Sequence, residues 1–173
     1  MFRKLTDSIH ASPQITLDDV AEAAAMGVKL IINNRPEGES DDQVPGPEIE
    51  AAARAAGIDY VAIPVTHAGF SEPQVVAMAK ALEGAQGPVL AYCRSGTRST
   101  LLWALSEASQ GGDPDAALPV AREHEEAAGV GHLQAQQILG QHARRGVGLH
   151  DDPLQPALVG KVVDVGRTHR GGQ

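Results

Sequence analysis

Apolar residues over the first hundred positions alternate between two rhythms. The compact runs Val28–Ile32, Tyr60–Val65 and Val89–Tyr92 suit strands covered on both faces. Longer stretches between them carry helical signals. Thr16 precedes Leu17–Ala23, where a hydroxyl cap and early acids complement the free amides and dipole of a starting helix, and Gly27 ends it. Pro47–Ala56 reads as a second helix stopped by Gly57. Ser71 opens a third, with Val75, Val76, Met78, Ala79 and Leu82 along its apolar side, before Gly87-Pro88 breaks the pattern. Leu5, Ile9 and Ala11 sit in short alternating stretches broken by Asp7-Ser8 and Ser12-Pro13, which predicts an opening strand pair. Strands alternating with helices of this length predict an α/β fold, its mainly parallel central sheet flanked by helices. In such sheets ligands gather outside the carboxyl ends of the strands.

Beyond Tyr92 the pattern predicts a helix over Ser99–Ala108, with Leu101, Leu102, Leu105 and Ala108 at core spacing and Gly111-Gly112 closing it. Asp113–Ala128 reads as a further helix that Pro119 bends or delays, and residues 132–144 as one more. From Gly146 to Gln173 glycine, proline and charge dilute any periodicity, apart from Val162-Val163. The expected organisation is a catalytic domain over residues 1–128, a helical extension over 129–145, and a tail or docking segment over 146–173. A chain of 173 residues is long enough for one core.

Composition narrows the choice of partners. Aromatic residues make up 3% of the chain, so aliphatic side chains must fill the interior and base stacking is disfavoured. The net charge of -8, uninterrupted by any basic run, repels polyanions and argues against nucleic acid and anionic membranes. One cysteine excludes an intramolecular disulfide framework and a Cys-rich zinc site, and it suits a reducing compartment. The start, Met1-Phe2-Arg3-Lys4-Leu5-Thr6-Asp7, turns polar too early for a signal peptide, and no stretch has the apolar length of a membrane span. A cytoplasmic location is expected. Glu37 to Asp42 reads as a solvated acidic connection. His124, His132 and His142 form no compact spacing with carboxylates, so no metal site is predicted.

The chemistry concentrates at Cys93-Arg94-Ser95-Gly96-Thr97-Arg98. A strand ending in cysteine, a short turn and an immediate helix favour an anion in three ways. Successive amides of Arg94, Ser95, Gly96 and Thr97 can point inward as a nest, Gly96 supplies backbone freedom, and the following helix aims its positive end at the same centre. Cysteines so placed are expected to be thiolate near neutral pH and hence nucleophiles that need no dedicated base. Arg98 can fold back over the loop to hold substrate oxygens or a terminal sulfur. Arg94 either steers an anionic substrate at the mouth or is simply solvated. Ser99 and Thr100 can cap the helix, and Ser99 can alternatively hydrogen-bond the sulfur.

At these residues the sequence resembles the phosphatase-like domain family of β-lactamase-hydrolase-like proteins. The resemblance spans residues 3–128 and rests on Pro13-Gln14-Ile15-Thr16, Ile31-Ile32-Asn33-Asn34-Arg35-Pro36, Ile63-Pro64-Val65 and Ala91 to Ser99. It implies a fold like that of dual-specificity phosphatases. It also implies sulfur chemistry, because many members are described as sulfurtransferases and occur fused to a persulfide-oxidising dioxygenase domain. Phosphatases of this general kind place five residues between nucleophile and arginine, whereas Cys93 and Arg98 have four between them, the length typical of rhodanese-like sulfurtransferases. Phosphatases also carry an aspartate after the strand preceding the cysteine strand, and Pro64–Phe70 holds no carboxylate. His67 can replace that acid or serve only as a loop histidine. Asn34 and Arg35 either frame the site or form a turn tied to the next segment.

The expected activity is therefore sulfur transfer. Cys93 attacks the outer sulfur of thiosulfate or a small persulfide, the resulting persulfide rests among the loop amides, and a thiol acceptor removes it. No metal or organic cofactor enters this scheme; its partners are a small anionic sulfur donor and a thiol acceptor, and the resemblance implies a persulfide dioxygenase as a further partner. The alternatives are phosphomonoester hydrolysis through a cysteinyl-phosphate, and a non-enzymatic anion-binding or redox-sensing module.

Overall fold

The computed structural model describes residues 2–112 and, beyond them, Pro119. The helices expected over 113–128 and 132–144, and the segment 146–173, otherwise lie outside the described residues. In chain order the elements are β1 (Arg3–Lys4), β2 (Ile9–Ser12), α1 (Leu17–Ala25), β3 (Leu30–Asn33), α2 (Gly46–Ala55), β4 (Asp59–Ala62), α3 (Glu72–Gly84), β5 (Val89–Tyr92) and α4 (Thr97–Ser109).

The five strands form one sheet in the order β1-β2-β5-β3-β4, with β1 antiparallel to β2 and every other pair parallel. The mainly parallel α/β architecture expected from the sequence is the one found. From β2 the chain crosses to β3 and then β4, moving one way across the sheet, and from β4 it returns to β5 in the middle. Right-handed crossovers then require helices on opposite faces for the two directions of travel. Packing follows this division. Val20 and Ala23 of α1 and Ile49 and Ala53 of α2 cover Ile31, Leu90 and Tyr92, whereas Val75 and Met78 of α3 and Leu102 and Leu105 of α4 cover Ile9, Ala11, Leu30, Ile32, Val89 and Ala91. Neighbouring strand residues thus point to opposite faces, the period of two that a pleated strand imposes. Each buried Ile or Leu adds about 1.5–3 kcal/mol, which explains why a chain so poor in aromatics builds its core from aliphatic residues.

Local chemistry sets the element ends. The Thr16 hydroxyl accepts the Asp19 amide while the Asp19 carboxylate accepts the Thr16 amide, a reciprocal cap for α1. The third strand is shifted two residues from the expected start at Val28, because Val28 closes the α1 turn by donating to Ala23 and Lys29 donates to Pro88. The expected strand to Val65 stops at Ala62. Pro64 has no amide to continue the ladder, although Ile63 and Val65 on either side still donate to Asn33 and Asn34. Val76, placed on the apolar side from sequence, is exposed, since Val75, Met78, Ala79 and Leu82 already complete the inward stripe.

Candidate active site

Central β5 releases the chain at Cys93 between the exits of β2 and β3. Cys93 is fully buried, and its amide donates to Ser12 O at 3.3 Å, while Gln14 N donates to Arg94 O at 3.3 Å. These two bonds pin the start of the loop against the segment leaving β2. Gly96 then takes φ +92°, a conformation that L side chains rarely adopt, and this turn brings its N–H to 3.1 Å from Cys93 Sγ. Helix α4 starts at Thr97 with Gly96 as its N-cap, and no side chain caps that position. Its amino-terminal end therefore faces the loop, the arrangement that favours a negative charge there.

Ser99 and Thr100 do not cap α4, contrary to the expectation that the helix begins at Ser99. Both lie inside its first turn, fully buried, and Thr100 Oγ1 donates back to Gly96 O at 3.1 Å, which fixes the carbonyl side of the same turn. Ser99 Oγ has no hydrogen-bond partner among the described residues. Ser95 Oγ and Thr97 Oγ1 lie 3.2 Å apart and tie the outer rim of the loop.

Arg98 does fold back from α4, but it meets a carboxylate. Its Nη1 lies 2.8 Å from Glu39 Oε1 and its Nη2 donates to Glu39 Oε2 at 2.8 Å, while Nη1 also donates to Val65 O at 2.6 Å. Glu39 makes a third such contact, its Oε2 accepting also from Arg35 Nε at 2.9 Å. Burial opposes the charge on Arg98, yet the Glu39 hydrogen bond and then the adjacent charge of Cys93 outweigh it and push the guanidinium pKa up. The Arg98 hydrogen bond, reinforced by Arg35 and by both positive charges, holds the Glu39 carboxyl below the usual carboxylate range despite its burial. Glu39 is thus a fixed anion beside the nucleophile's arginine.

The acidic loop is accordingly more than a solvated connection, since the Glu39 side chain is only 10% exposed. Arg35 is buried and engaged by protein groups: besides Glu39, it donates through Nη1 to Gln14 Oε1 at 2.8 Å and through Nη2 to Ser40 Oγ. Asn34 is buried, with Nδ2 donating to Ile63 O at 3.0 Å, so it ties the exits of β3 and β4 together. Arg94 and His67 are both exposed, His67 on the turn that follows the Arg98 contact at Val65. The loop itself collects Cys93, Ser95, Gly96, Thr97 and Arg98. Glu39 and Gln14 were not singled out as site residues from the sequence; Arg35 and Glu39 have salt-bridge spacing, but nothing there connects Glu39 to an arginine 59 positions away. Among the described residues no group of three or more His, Cys, Asp or Glu could hold a metal ion, and no described helix is long and apolar enough to cross a membrane. A cavity of about 610 Å³ lined by Ser8, Pro88, Trp103 and Glu107 lies by the amino ends of β2 and β5, away from Cys93.

Residues 1–110 match the family described as β-lactamase hydrolase-like protein, phosphatase-like domain. A β-lactamase hydrolase-like protein of Agrobacterium fabrum is 36% identical over 108 residues, which are 62% of this chain and 25% of that protein. The chain therefore spans about a quarter of the length of this relative. Among solved structures, a candidate phosphatase from Neisseria meningitidis is 32% identical with a TM-score of 0.66, covering 80% of this chain and 95% of that one. A kinase-associated phosphatase at 16% identity superposes with a TM-score of 0.63 over 79% of this chain and 85% of that one, a likeness of fold.

Proposed function

Because the chain belongs to the phosphatase-like domain family of β-lactamase hydrolase-like proteins, we propose that it is a cysteine-dependent phosphomonoesterase. This reverses the order of the two enzymatic readings drawn from the sequence, and the phosphatase fold of its structural neighbours is the reason. The observation that carries it is the Gly96 N–H placed 3.1 Å from a buried Cys93 Sγ at the start of α4. Sulfur attacks phosphorus as the bond to the leaving oxygen breaks, and water then splits the cysteinyl-phosphate to release phosphate and the thiol. Loop amides and the end of α4 oppose the charge on the phosphoryl oxygens. With no carboxylate on Pro64–Phe70, His67 exposed there and Glu39 held ionised, the protein's own proton supply to the leaving oxygen is weak, so phenolic leaving groups are favoured over alkyl ones.

Sulfur transfer is the second reading, favoured by the four residues between Cys93 and Arg98 and by the missing carboxylate. The two leave different adducts on the same sulfur. Intact-mass measurement after rapid mixing with an aryl phosphate gains about 80 mass units in the first case, and with a sulfane-sulfur donor about 32 in the second. Turnover of the donor with no phosphoryl adduct and no phosphate release would replace the first reading by the second.

A further inference from the structure

We propose that Glu39 is a specificity-determining residue that makes the Cys93 loop a site for ligands of one negative charge and penalises those of two. The inference deepens the phosphomonoesterase reading and rests on its anion site. Both terminal nitrogens of Arg98 are already committed to the two oxygens of Glu39, and the nitrogens of Arg35 to Glu39, Gln14 and Ser40. With Cys93 reacting as its thiolate, the two arginines, the carboxylate and the sulfur cancel in charge. The Gly96 amide is given to Cys93 Sγ and the Thr97 amide to Ser95 Oγ, so a singly charged ligand is met by the amides of Arg94 and Ser95 and by the helix end. A second charge must either draw Arg98 away from Glu39 or sit beside a carboxylate that is only 10% exposed, and both are unfavourable where water screens poorly.

The chemistry that fits is a phosphomonoester carrying one proton, a form available because the second phosphate ionisation lies at about pH 6. That proton also supplies what Pro64–Phe70 lacks. As sulfur bonds to phosphorus and the ester P–O bond breaks, the phosphoryl O–H proton passes to the leaving oxygen, which departs neutral. Substrate and site then share the acid's work, and Glu39 selects the form that brings the proton.

Perchlorate and sulfate test the idea, since they are tetrahedral and close in size and differ in charge. Each is titrated for protection of Cys93 against iodoacetamide in the full chain at constant ionic strength. Relative to wild type, Glu39→Gln shifts the ratio of protecting concentrations toward sulfate by about tenfold or more, the scale of one unit-charge interaction in a poorly screened site. Comparing ratios cancels the different hydration of the two ions. Glu39→Asp, which keeps the charge, holds the wild-type ratio. A Glu39→Gln ratio equal to wild type overturns the proposal, as does a Glu39→Asp ratio that moves as far as that of Glu39→Gln. Wild type alone also decides, should the uncharged variant not fold: protection by sulfate at concentrations more than about tenfold below perchlorate contradicts a penalty on the second charge. Neither anion is turned over, so an absent phosphoryl adduct with the charge shift intact removes the hydrolase reading alone.

Discussion

Gly96→Ala tests the loop geometry most directly, because strain and space can be separated there. A Cβ at Gly96 meets Ser12 C and O at 3.4 Å and Pro13 N at 3.6 Å, which is ordinary van der Waals contact. The cost is therefore conformational. Holding alanine at φ +92° costs about 1–3 kcal/mol. Urea unfolding, whose slope for a small domain is about 1–3 kcal/mol per molar, registers this as a midpoint lowered by roughly 1 M. If the loop instead relaxes, Gly96 N–H leaves Cys93 Sγ, and turnover and Cys93 alkylation slow while stability falls less. Gly57→Ala is the control, because φ there is +73° with nothing within 4 Å of the added carbon, and the position lies at the end of α2. It loses stability comparably and leaves Cys93 reactivity unchanged. A Gly96→Ala protein within about 0.5 kcal/mol of wild type, with unchanged alkylation, refutes the claim that this backbone conformation positions the donor.

Cys93→Ser abolishes phosphate release and sulfur transfer with a native far-UV spectrum, because the hydroxyl stays protonated where the thiolate reacts; comparable turnover in the variant removes Cys93 as nucleophile. Glu39→Gln costs about 3 kcal/mol near pH 7, since buried Arg35 and partly buried Arg98 both lose their counter-charge. The folded pKa of Glu39 is depressed, so its contribution is present above the unfolded carboxyl value of about 4.3 and is lost as pH falls through the folded value. Urea midpoints across that range should therefore fall less steeply with acid in Glu39→Gln than in wild type, and equal slopes count against the assignment. A glycine inserted between Gly96 and Thr97 widens the ring, weakening sulfur transfer and tightening vanadate; isotherms and donor turnover that both stay at wild-type values show that ring length does not discriminate.

What the sequence revealed was contiguous. From Val89 to Arg98 the strand, turn and helix follow one another within ten positions, so hydrophobic run, glycine and arginine could be read in order. The Thr16 cap was equally legible because its partner Asp19 stands three residues away. Glu39 was not, for a carboxylate in a run of acids has no local mark of burial. Its partners come from the exits of β3 and from α4, and only the folded sheet brings them together. The α4 start was misplaced for a related reason: Ser99 and Thr100 are good caps by residue type, but the positive φ of Gly96 already turns the chain into the helix two residues earlier. Asn34 and Arg35 were legible by position, yet the groups their side chains bond, Ile63, Gln14 and Ser40, lie on other segments or further along the loop.

Those contacts join into a continuous chain around the carboxyl edge of the sheet. Gln14 beyond β2 accepts from Arg35 beyond β3; Arg35 and Arg98 share Glu39; Arg98 donates to Val65 beyond β4. The position of the Arg98 guanidinium is therefore set by every segment that leaves this edge, as well as by the four residues separating it from Cys93. A loop spacing compared in isolation treats the arginine as a free clamp whose reach depends on ring size. Here the clamp is held by a counter-anion, and its availability depends on how readily Glu39 yields it. Interaction energies along such a chain are shared rather than additive, so truncating the side chain of Gln14 or Arg35 acts on Arg98 while leaving the loop's backbone bonds in place. Ring length sets the shape of the nest, while the Arg35–Glu39–Arg98 cluster sets the charge it will accept. The identity of the transferred group follows from the two together.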